Sequence, residues 1–282
     1  MTGRQAARHL PDFQMTISPM FHYFPNRRSY SSKQVAAGAA MLGITYYVLS
    51  EKAPYTNRRR LILTTSFVEQ YTAEQAYKSV LSQTRHSLLS EYNSYHLKVA
   101  EIASKLLASN NTVVSPDLNW QVHVVNSNQL NAFVLANGKI FVYKGLFDLV
   151  QSDSELAAVI SHELAHVVAR HSAEGQSFAS ILAAVSVFLG FHLGGLNNIL
   201  STTYSRTLEH EADEIGIHLM AKACYDPNAA VTLWKRFGLM DKNREQIEFL
   251  STHPTHKNRE ERIKSKIPLV GDWKKHCKSK WW

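Results

Sequence analysis

The spacing of apolar side chains predicts helices over most of the chain. Apolar residues recur at intervals of three and four after the capping-box pattern Thr72-x-x-Gln75, and this predicts helices that continue to about Leu107. A second capping box, Ser152-x-x-Glu155, predicts a helix that reaches about His171. Two more helices are predicted at 205–223 and 227–241.

Alternating apolar and polar positions predict one small sheet in the middle of the chain. Its strands are expected at Gln121–Val125, Ala132–Ala136 and Lys139–Tyr143. Asn137-Gly138 is a strong signal for a two-residue hairpin turn between the last two strands. A mainly helical chain with one small sheet is typical of the α+β class.

The first residues have the composition of an organelle transit peptide. Residues 1–50 contain five Lys or Arg, one acidic residue and many Ser and Tyr. This composition favours import into mitochondria, and a disordered basic tail is the alternative. The predicted organisation is a leader at 1–34, a membrane anchor at 35–50, a linker at 51–70, a main domain at 71–268 and a basic aromatic tail at 269–282.

Two apolar stretches raise the question of membrane contact. The stretch at 35–50 is uncharged but short for a bilayer, so an apolar part of the leader competes with the anchor as its interpretation. The segment Phe178–Leu200 also carries no formal charge, but Gly, His and Asn interrupt it. This pattern favours a buried or membrane-facing hairpin over a second span.

The net charge of +8 and the pI of about 9.4 are typical of a protein that binds nucleic acid, of one that contacts an anionic membrane surface, or of an imported protein with a basic leader. Much of the excess lies in the leader and in Lys274–Lys280. Since no nucleic-acid-binding module is recognisable, no nucleic-acid partner is predicted. Trp273, Trp281 and Trp282 lie among lysines, which is typical of a contact with membrane lipid, although a solvated terminus has the same composition.

The chain has two cysteines, Cys224 and Cys277. They have no CxxC spacing, so neither a disulfide framework nor a thiolate zinc site is predicted. The sequence leaves open a single bridge between them.

One predicted helix carries the pattern His162-Glu163-Leu164-Ala165-His166. Four residues are just over one helical turn, so both imidazoles project from one face and can bind a single metal ion. Glu163 is rotated by about 100° from His162 and can reach a water at the metal, which predicts a general base. An ordinary core helix with two histidines is the alternative.

A catalytic zinc site normally has three protein ligands, so a third must come from elsewhere. In the predicted helix at 205–223, Glu209 and Asp213 share one face, whereas Glu211 lies about 200° away from Glu209. Glu209 is therefore the predicted third ligand. Asp213 is predicted to accept the free N–H of a ligating histidine. Glu211, Glu214 and His210 are interpreted as solvated helix residues.

These motifs resemble the HtpX/Ste-type zinc endopeptidases over about Tyr71–Lys266. The resemblance rests on His-Glu-Leu-Ala-His, on Ser205-Arg-x-x-Glu209-x-x-Ala-Asp213, on the segment around His253 with Arg259, and on 131–146 before the first motif. The leader, the single predicted anchor and the stretch 54–60 resemble the mitochondrial inner-membrane, Oma-type branch of that family. Too few long apolar spans are present for the multi-span branch.

The resemblance implies a gluzincin-type domain with one Zn²⁺ per chain, bound by His162, His166 and Glu209, and with Glu163 as the base. It implies cleavage of polypeptides, above all inner-membrane proteins in quality control or under stress, including a dynamin-like fusion GTPase. It further implies a catalytic domain that faces the intermembrane space. A catalytically silent zinc-binding scaffold protein is the rival function, and the sequence leaves open whether the chain forms a homo-oligomer.

Two further elements are predicted to handle the substrate. His253 and Arg259 are candidates to stabilise the oxyanion, although His253 is also placed to contact the metal in a resting state. The strand at 139–143, if it is an edge, can pair with an extended substrate through its backbone, and an ordinary structural hairpin is the alternative. The predicted substrate-strand residues are Gly138, Lys139, Ile140, Phe141 and Val142.

Overall fold

A computed structural model of the chain describes residues 31–189, 194–240, 249, 253 and 258–279. The chain divides into two compact units, Met1–Val48 and Leu49–Trp282. The predicted leader lies almost entirely outside the described residues, as do Trp281 and Trp282 of the predicted tail.

Helix α1 (Ser32–Leu49) covers the stretch that was predicted as a membrane anchor. Within the described ranges, however, the structure contains no helix that is both long and apolar enough to cross a membrane.

The second unit is mainly helical with one three-stranded sheet, which confirms the predicted α+β class. Its helices and strands are, in chain order, β1 (Glu51–Lys52), β2 (Arg59–Arg60), α2 (Ser66–Thr84), α3 (Ser94–Ser109), β3 (Gln121–Val125), β4 (Ala132–Val134), β5 (Lys139–Tyr143), α4 (Asp153–Val168), α5 (His171–Leu189), α6 (Gly194–Lys222), α7 (Asn228–Met240), α8 (Arg259–Lys266) and α9 (Trp273–Ser279).

The start of α2 differs from the prediction. The cap is Thr65, whose side chain accepts a hydrogen bond from the backbone N–H of Val68. Thr72 lies inside the helix, and its hydroxyl donates to the carbonyls of Val68 and Glu69 instead of capping a terminus. The predicted linker at 51–70 is likewise partly ordered, because β1 pairs antiparallel with β2 and α2 begins before it ends.

Helix α4 begins as predicted. The Ser152 hydroxyl accepts from the N–H of Glu155, and the Glu155 carboxylate accepts from the N–H of Gln151. The helix stops at Val168, before the predicted end at about His171, because Arg170 has a left-handed backbone with a φ of 50°. A new helix, α5, then starts at His171.

The uncharged segment Phe178–Leu200 belongs to two helices, α5 and α6, whose connection at 190–193 lies outside the described residues. The side chains of residues 178–187, in the second half of α5, are exposed or half-buried, and Val187 is 82% exposed. A hairpin buried in the core, which was one of the two predicted forms, is therefore wrong for this part of α5.

The strand order is β3-β5-β4, with β3 parallel and β4 antiparallel to β5. The predicted pairing of β5 with a substrate required it to be an edge strand, and this condition is not met, because its backbone groups pair with strands on both sides. The turn between β4 and β5 also differs from the predicted two-residue turn. The N–H of Leu135 donates to the carbonyl of Lys139, and the N–H of Gly138 donates to the carbonyl of Leu135, so residues 136–138 form a three-residue loop. Gly138 has a φ of +86°, a conformation that glycine adopts without strain.

The core lies between α4 and α6, with α3, α7 and β5 around them. Gly216 of α6 lets the two helices approach closely, since a Cβ at this position would lie 3.3 Å from the backbone nitrogen of His162. Large side chains that are fully buried around this contact include Ile102, Leu106, Phe141, Ile160, Leu164, Ile215, Leu219 and Phe237. The backbones of α4 and α6 are therefore in close contact at His162.

Cys224, just after α6, forms a disulfide with Cys277 of α9. The bridge that the sequence left open is thus present, and it ties the C-terminal helix to the end of α6.

Candidate active site

Helix α4 presents two imidazoles from one buried face. His162 and His166 are one turn apart, and their Nε2 atoms are 3.3 Å from each other. His162 is almost fully buried, whereas the His166 side chain remains 18% exposed. Both Nε2 atoms therefore point to one position, and solvent reaches it from the side of the partly exposed His166.

Helix α6 contributes the carboxylate of Glu209 to the same place. Its Oε2 lies 3.4 Å from Nε2 of His162, and its Oε1 lies 3.4 Å from Nε2 of His166. His253 adds a fourth atom, because its Nδ1 is 3.2 Å from Nε2 of His162 and 3.0 Å from each oxygen of Glu209.

Most distances among these donor atoms are those expected between the ligands of a zinc ion. Two ligands at the usual zinc–nitrogen distance would be separated by about 3.3 Å in a tetrahedron. His162 lies 3.2 to 3.4 Å from the other three residues, and Glu209 lies 3.0 to 3.4 Å from His166 and His253. One ligand atom of each of the four residues lies within 4.8 Å of the others. Imidazole nitrogen and carboxylate oxygen are the ligand types that zinc prefers, so the residues fit this metal.

Charge also favours a cation at this position. Glu163, Glu209 and Asp213 are buried carboxylates, and the guanidinium of Arg259 lies against two of them. Burial would raise the pKa of Glu209, but hydrogen bonds with three histidines lower it below its usual range. Glu209 is thus held as a carboxylate, the form that a metal ligand needs.

The two motif histidines differ in their electrostatics. Burial alone would lower the pKa of His162, but Asp213 and Glu209 outweigh it and raise this pKa to about 9. Burial dominates at His166 and lowers its pKa to about 3, although Glu209 opposes the shift. Acidic neighbours thus favour the charged form of His162, whereas burial favours the neutral form of His166.

Glu163 is placed beside the donor atoms but does not join them. It is 4% exposed, and within the described part of the chain its Oε1 has no hydrogen-bond partner, although Nε2 of His253 lies 3.3 Å away. Burial raises the pKa of Glu163, while the charges of His253 and His162 oppose the shift. A buried carboxylate oxygen with an unused lone pair is suited to accept a proton from a water at the site.

Asp213 lies next to the first ligand, with Oδ1 3.1 Å from Nδ1 of His162. Arg259 in turn holds Asp213 through two hydrogen bonds of 2.9 and 2.7 Å, and it donates to Glu209 at 3.3 Å. Its guanidinium carbon lies 3.3 Å from the ring centroid of Trp234, and the residue is 3% exposed. The geometry therefore favours Arg259 as a support for two carboxylates over the predicted oxyanion donor.

The predicted substrate strand is not available for pairing. Strand β5 is central and its residues Lys139 to Val142 are buried. The Nζ of Lys139 donates to the carbonyl of Asn119 at 2.7 Å. The outer strand beside α4 is β4.

A second buried network contains Glu211, and the interpretation of this residue as a solvated charge is wrong. Glu211 is 4% exposed, and it contacts His171 of α5 and Arg58 and Thr56 of the β1–β2 hairpin. Burial would raise its pKa, but these hydrogen bonds lower it to about 2. A signal for its burial exists in the sequence, because Glu211 lies one turn before the apolar Ile215 of the same helix.

Comparisons with known proteins agree with this geometry. Residues 95–267 match the model of peptidase family M48. Mitochondrial metalloendopeptidase OMA1 of Schizosaccharomyces pombe is 39% identical over 238 residues, which cover 80% of this chain and 69% of that protein. The protein of the same name from Saccharomyces cerevisiae is 32% identical over 262 residues, or 86% of this chain and 76% of the relative. Human mitochondrial metalloendopeptidase OMA1 is 32% identical over 256 residues, or 83% of this chain and 49% of the relative.

Proposed function

The chain belongs to peptidase family M48 and is a zinc metalloendopeptidase, and on that premise we propose that it cleaves membrane proteins at the mitochondrial inner membrane as part of their quality control. The observation that carries the catalytic part is the convergence of His162, His166 and Glu209 on one point with Glu163 beside it. The relatives' names support the mitochondrial part.

The chain's own residues supply most of the proposed mechanism. When bound, zinc supplies a Lewis acid that polarises the scissile carbonyl and makes water a better nucleophile. Glu163 accepts the proton of the attacking water and passes it to the leaving amine. Arg259 holds Asp213 with Oδ1 3.1 Å from Nδ1 of His162, where a small rotation of the ring would give the hydrogen bond that selects the tautomer with Nε2 free for the metal.

His253 lies close both to the metal ligands and to Glu163. Its Nδ1 would be a fourth donor beside His162, His166 and Glu209, whereas a catalytic zinc site normally has three protein ligands and keeps one position for water or substrate. Its Nε2 faces Glu163 at 3.3 Å. We expect His253 to move away from the metal position when a peptide enters, which leaves it beside the scissile carbonyl as a hydrogen-bond donor.

The location at the inner membrane is supported by sequence features. The basic leader is typical of mitochondrial import, and the lysine- and tryptophan-containing tail is typical of contact with lipid. Membrane-embedded or membrane-attached polypeptides are accordingly the proposed substrates.

A comparison of Glu163→Gln with the wild type tests the catalytic part. The variant keeps the size of the side chain but removes its basicity, so we expect about one zinc per chain in both proteins and cleavage of an unfolded polypeptide such as casein only by the wild type. Zinc is measured by atomic emission and cleavage by gel electrophoresis. Glu101→Gln, an exposed position on α3, is the matched control and should cleave normally.

Two outcomes would refute parts of the proposal. Undiminished cleavage by Glu163→Gln would exclude Glu163 as the base. A wild-type protein that binds zinc and cleaves nothing, neither casein nor proteins of mitochondrial membranes, would favour the silent scaffold.

A further inference from the structure

We infer that Arg58, on the hairpin before the helical body, is a positioning residue for the metal-binding His166, and that it acts through Glu211 and His171. The inference deepens the proposed function, because it rests on His166 as a ligand. It assigns a role to a network that lies outside the catalytic motif.

The contacts form a continuous path from the hairpin to the metal position. Arg58 donates to Glu211 from Nε at 2.9 Å and also from Nη2. Oε2 of Glu211 lies 3.1 Å from Nε2 of His171, and Nδ1 of His171 lies 2.9 Å from Nδ1 of His166. The opposite nitrogen of His166, Nε2, is the one that faces Glu209.

The chemistry of these groups fixes where each proton lies. A carboxylate only accepts, so His171 must donate from Nε2 to Glu211. Neutral His171 then accepts at Nδ1, and the donor there is the Nδ1–H of His166. This leaves the lone pair of His166 on Nε2, which is the tautomer that binds the metal.

Arg58 is what holds the carboxylate end of this path. Its guanidinium also bonds to both oxygens of Glu174, at 2.6 and 2.7 Å, and Glu174 is 1% exposed. Two buried carboxylates next to each other require a compensating cation, and the planar fork of arginine satisfies both. Thr56 donates a further hydrogen bond to Glu211.

The hairpin that carries Arg58 is itself fixed to α6. Ala53 is buried, and its N–H donates to the carbonyl of Arg58 at 2.9 Å. The ring of Tyr55 stacks on His218 with centroids 4.6 Å apart. Arg58 is therefore delivered to Glu211 by a locally ordered turn.

The same cluster could instead be a second metal site, because His171, Glu174 and Glu211 have ligand atoms close to one another. The guanidinium of Arg58 argues against this, since it takes up the carboxylate oxygens that a cation would need. The number of metal ions per chain distinguishes the two interpretations.

The test compares Arg58→Ala and Arg58→Lys in the full chain, both in the Glu163→Gln background so that self-cleavage plays no part. Zinc affinity is measured by competition with a chelator, and the ligand environment by the visible spectrum of the cobalt-substituted protein. Because Arg58 acts through Glu211 and His171, we expect Arg58→Ala to bind zinc up to about 10-fold more weakly, the lower end of the effect of losing a group bonded directly to a ligand, and to alter the cobalt spectrum. Arg58→Lys keeps the charge but not the fork, so we expect an intermediate affinity.

Arg236→Ala is the matched control, because Arg236 also pairs with a buried carboxylate, Glu155, which lies on α4 about two turns before His162 and takes no part in the path from Arg58 to His166. Arg236→Ala should lose stability without a change in the cobalt spectrum.

The inference would be overturned if Arg58→Ala and Arg58→Lys both had a zinc affinity within twofold of the parent and unchanged spectra. Two metal ions per parent chain, with one lost in Arg58→Ala, would also overturn it. If Arg58→Ala does not fold, Arg58→Lys decides alone. A parent that binds no zinc contradicts the proposed function itself.

Discussion

The side chains at the metal position are each held by a second residue. Asp213 lies against Nδ1 of His162, and Arg259 bonds to both Asp213 and Glu209. Such partners orient a ligand and select its tautomer, so their loss acts on metal affinity. A group that stabilises the transition state acts on kcat instead.

Arg259→Lys separates these two roles. We expect zinc affinity to fall about 10- to 100-fold, because lysine cannot form the paired hydrogen bonds to Asp213, while kcat at saturating zinc changes little. The measurement is a zinc titration followed by kinetics at full occupancy. Arg262→Lys, on the same helix, serves as the control. A loss of about 100- to 1000-fold in kcat with unchanged zinc affinity would instead restore Arg259 as the oxyanion donor.

Much of the site follows from periodicity within single helices. His162, His166, Glu209 and Asp213 were predictable because residues four apart share a helix face, and the structure brings these four side chains together. Two other points depended on tertiary structure. The order of strands cannot be deduced from alternation, so the sequence left open whether β5 is an edge. The interpretation of Glu211 as solvated was wrong, because its burial depends on Arg58, more than 150 positions away.

The contact between α4 and α6 sets the distance between the histidine pair and Glu209. Gly216 permits this contact, because a side chain there would press on the backbone of His162. The same helix pair therefore serves the core and the metal position at once.

Gly216→Val should destabilise the protein by about 1–3 kcal/mol, because the added atoms force α6 away from α4. Urea denaturation followed by circular dichroism measures the change. Gly238→Val on α7 is the control, since a Cβ there meets nothing within 4 Å. Equal stability of Gly216→Val and the wild type would show that the two helices are not held at this distance.

At the scale of the whole molecule, the disulfide closes a long loop. Cys224 and Cys277 are separated by 53 positions, and the loop includes α7 and α8. Closing a loop of this length removes conformational freedom from the unfolded chain. The bridge thus stabilises the part of the chain that carries His253 and Arg259.

The double variant Cys224→Ser/Cys277→Ser should lose about 2–4 kcal/mol of unfolding free energy. Urea denaturation with and without dithiothreitol measures the effect. The reductant should lower the stability of the wild type to that of the variant and leave the variant unchanged. A wild-type protein that ignores the reductant, with the bridge shown to be reduced, would contradict this expectation.

The region that matches the peptidase family is shorter, at both ends, than the part of the chain that supports the active site. Arg58 precedes residue 95 and Cys277 follows residue 267. A recombinant fragment cut at the family boundaries would lose the cation of the Glu211 network and leave Cys224 as a free thiol. An expression plasmid for crystallisation should therefore encode residues 51–279 at least.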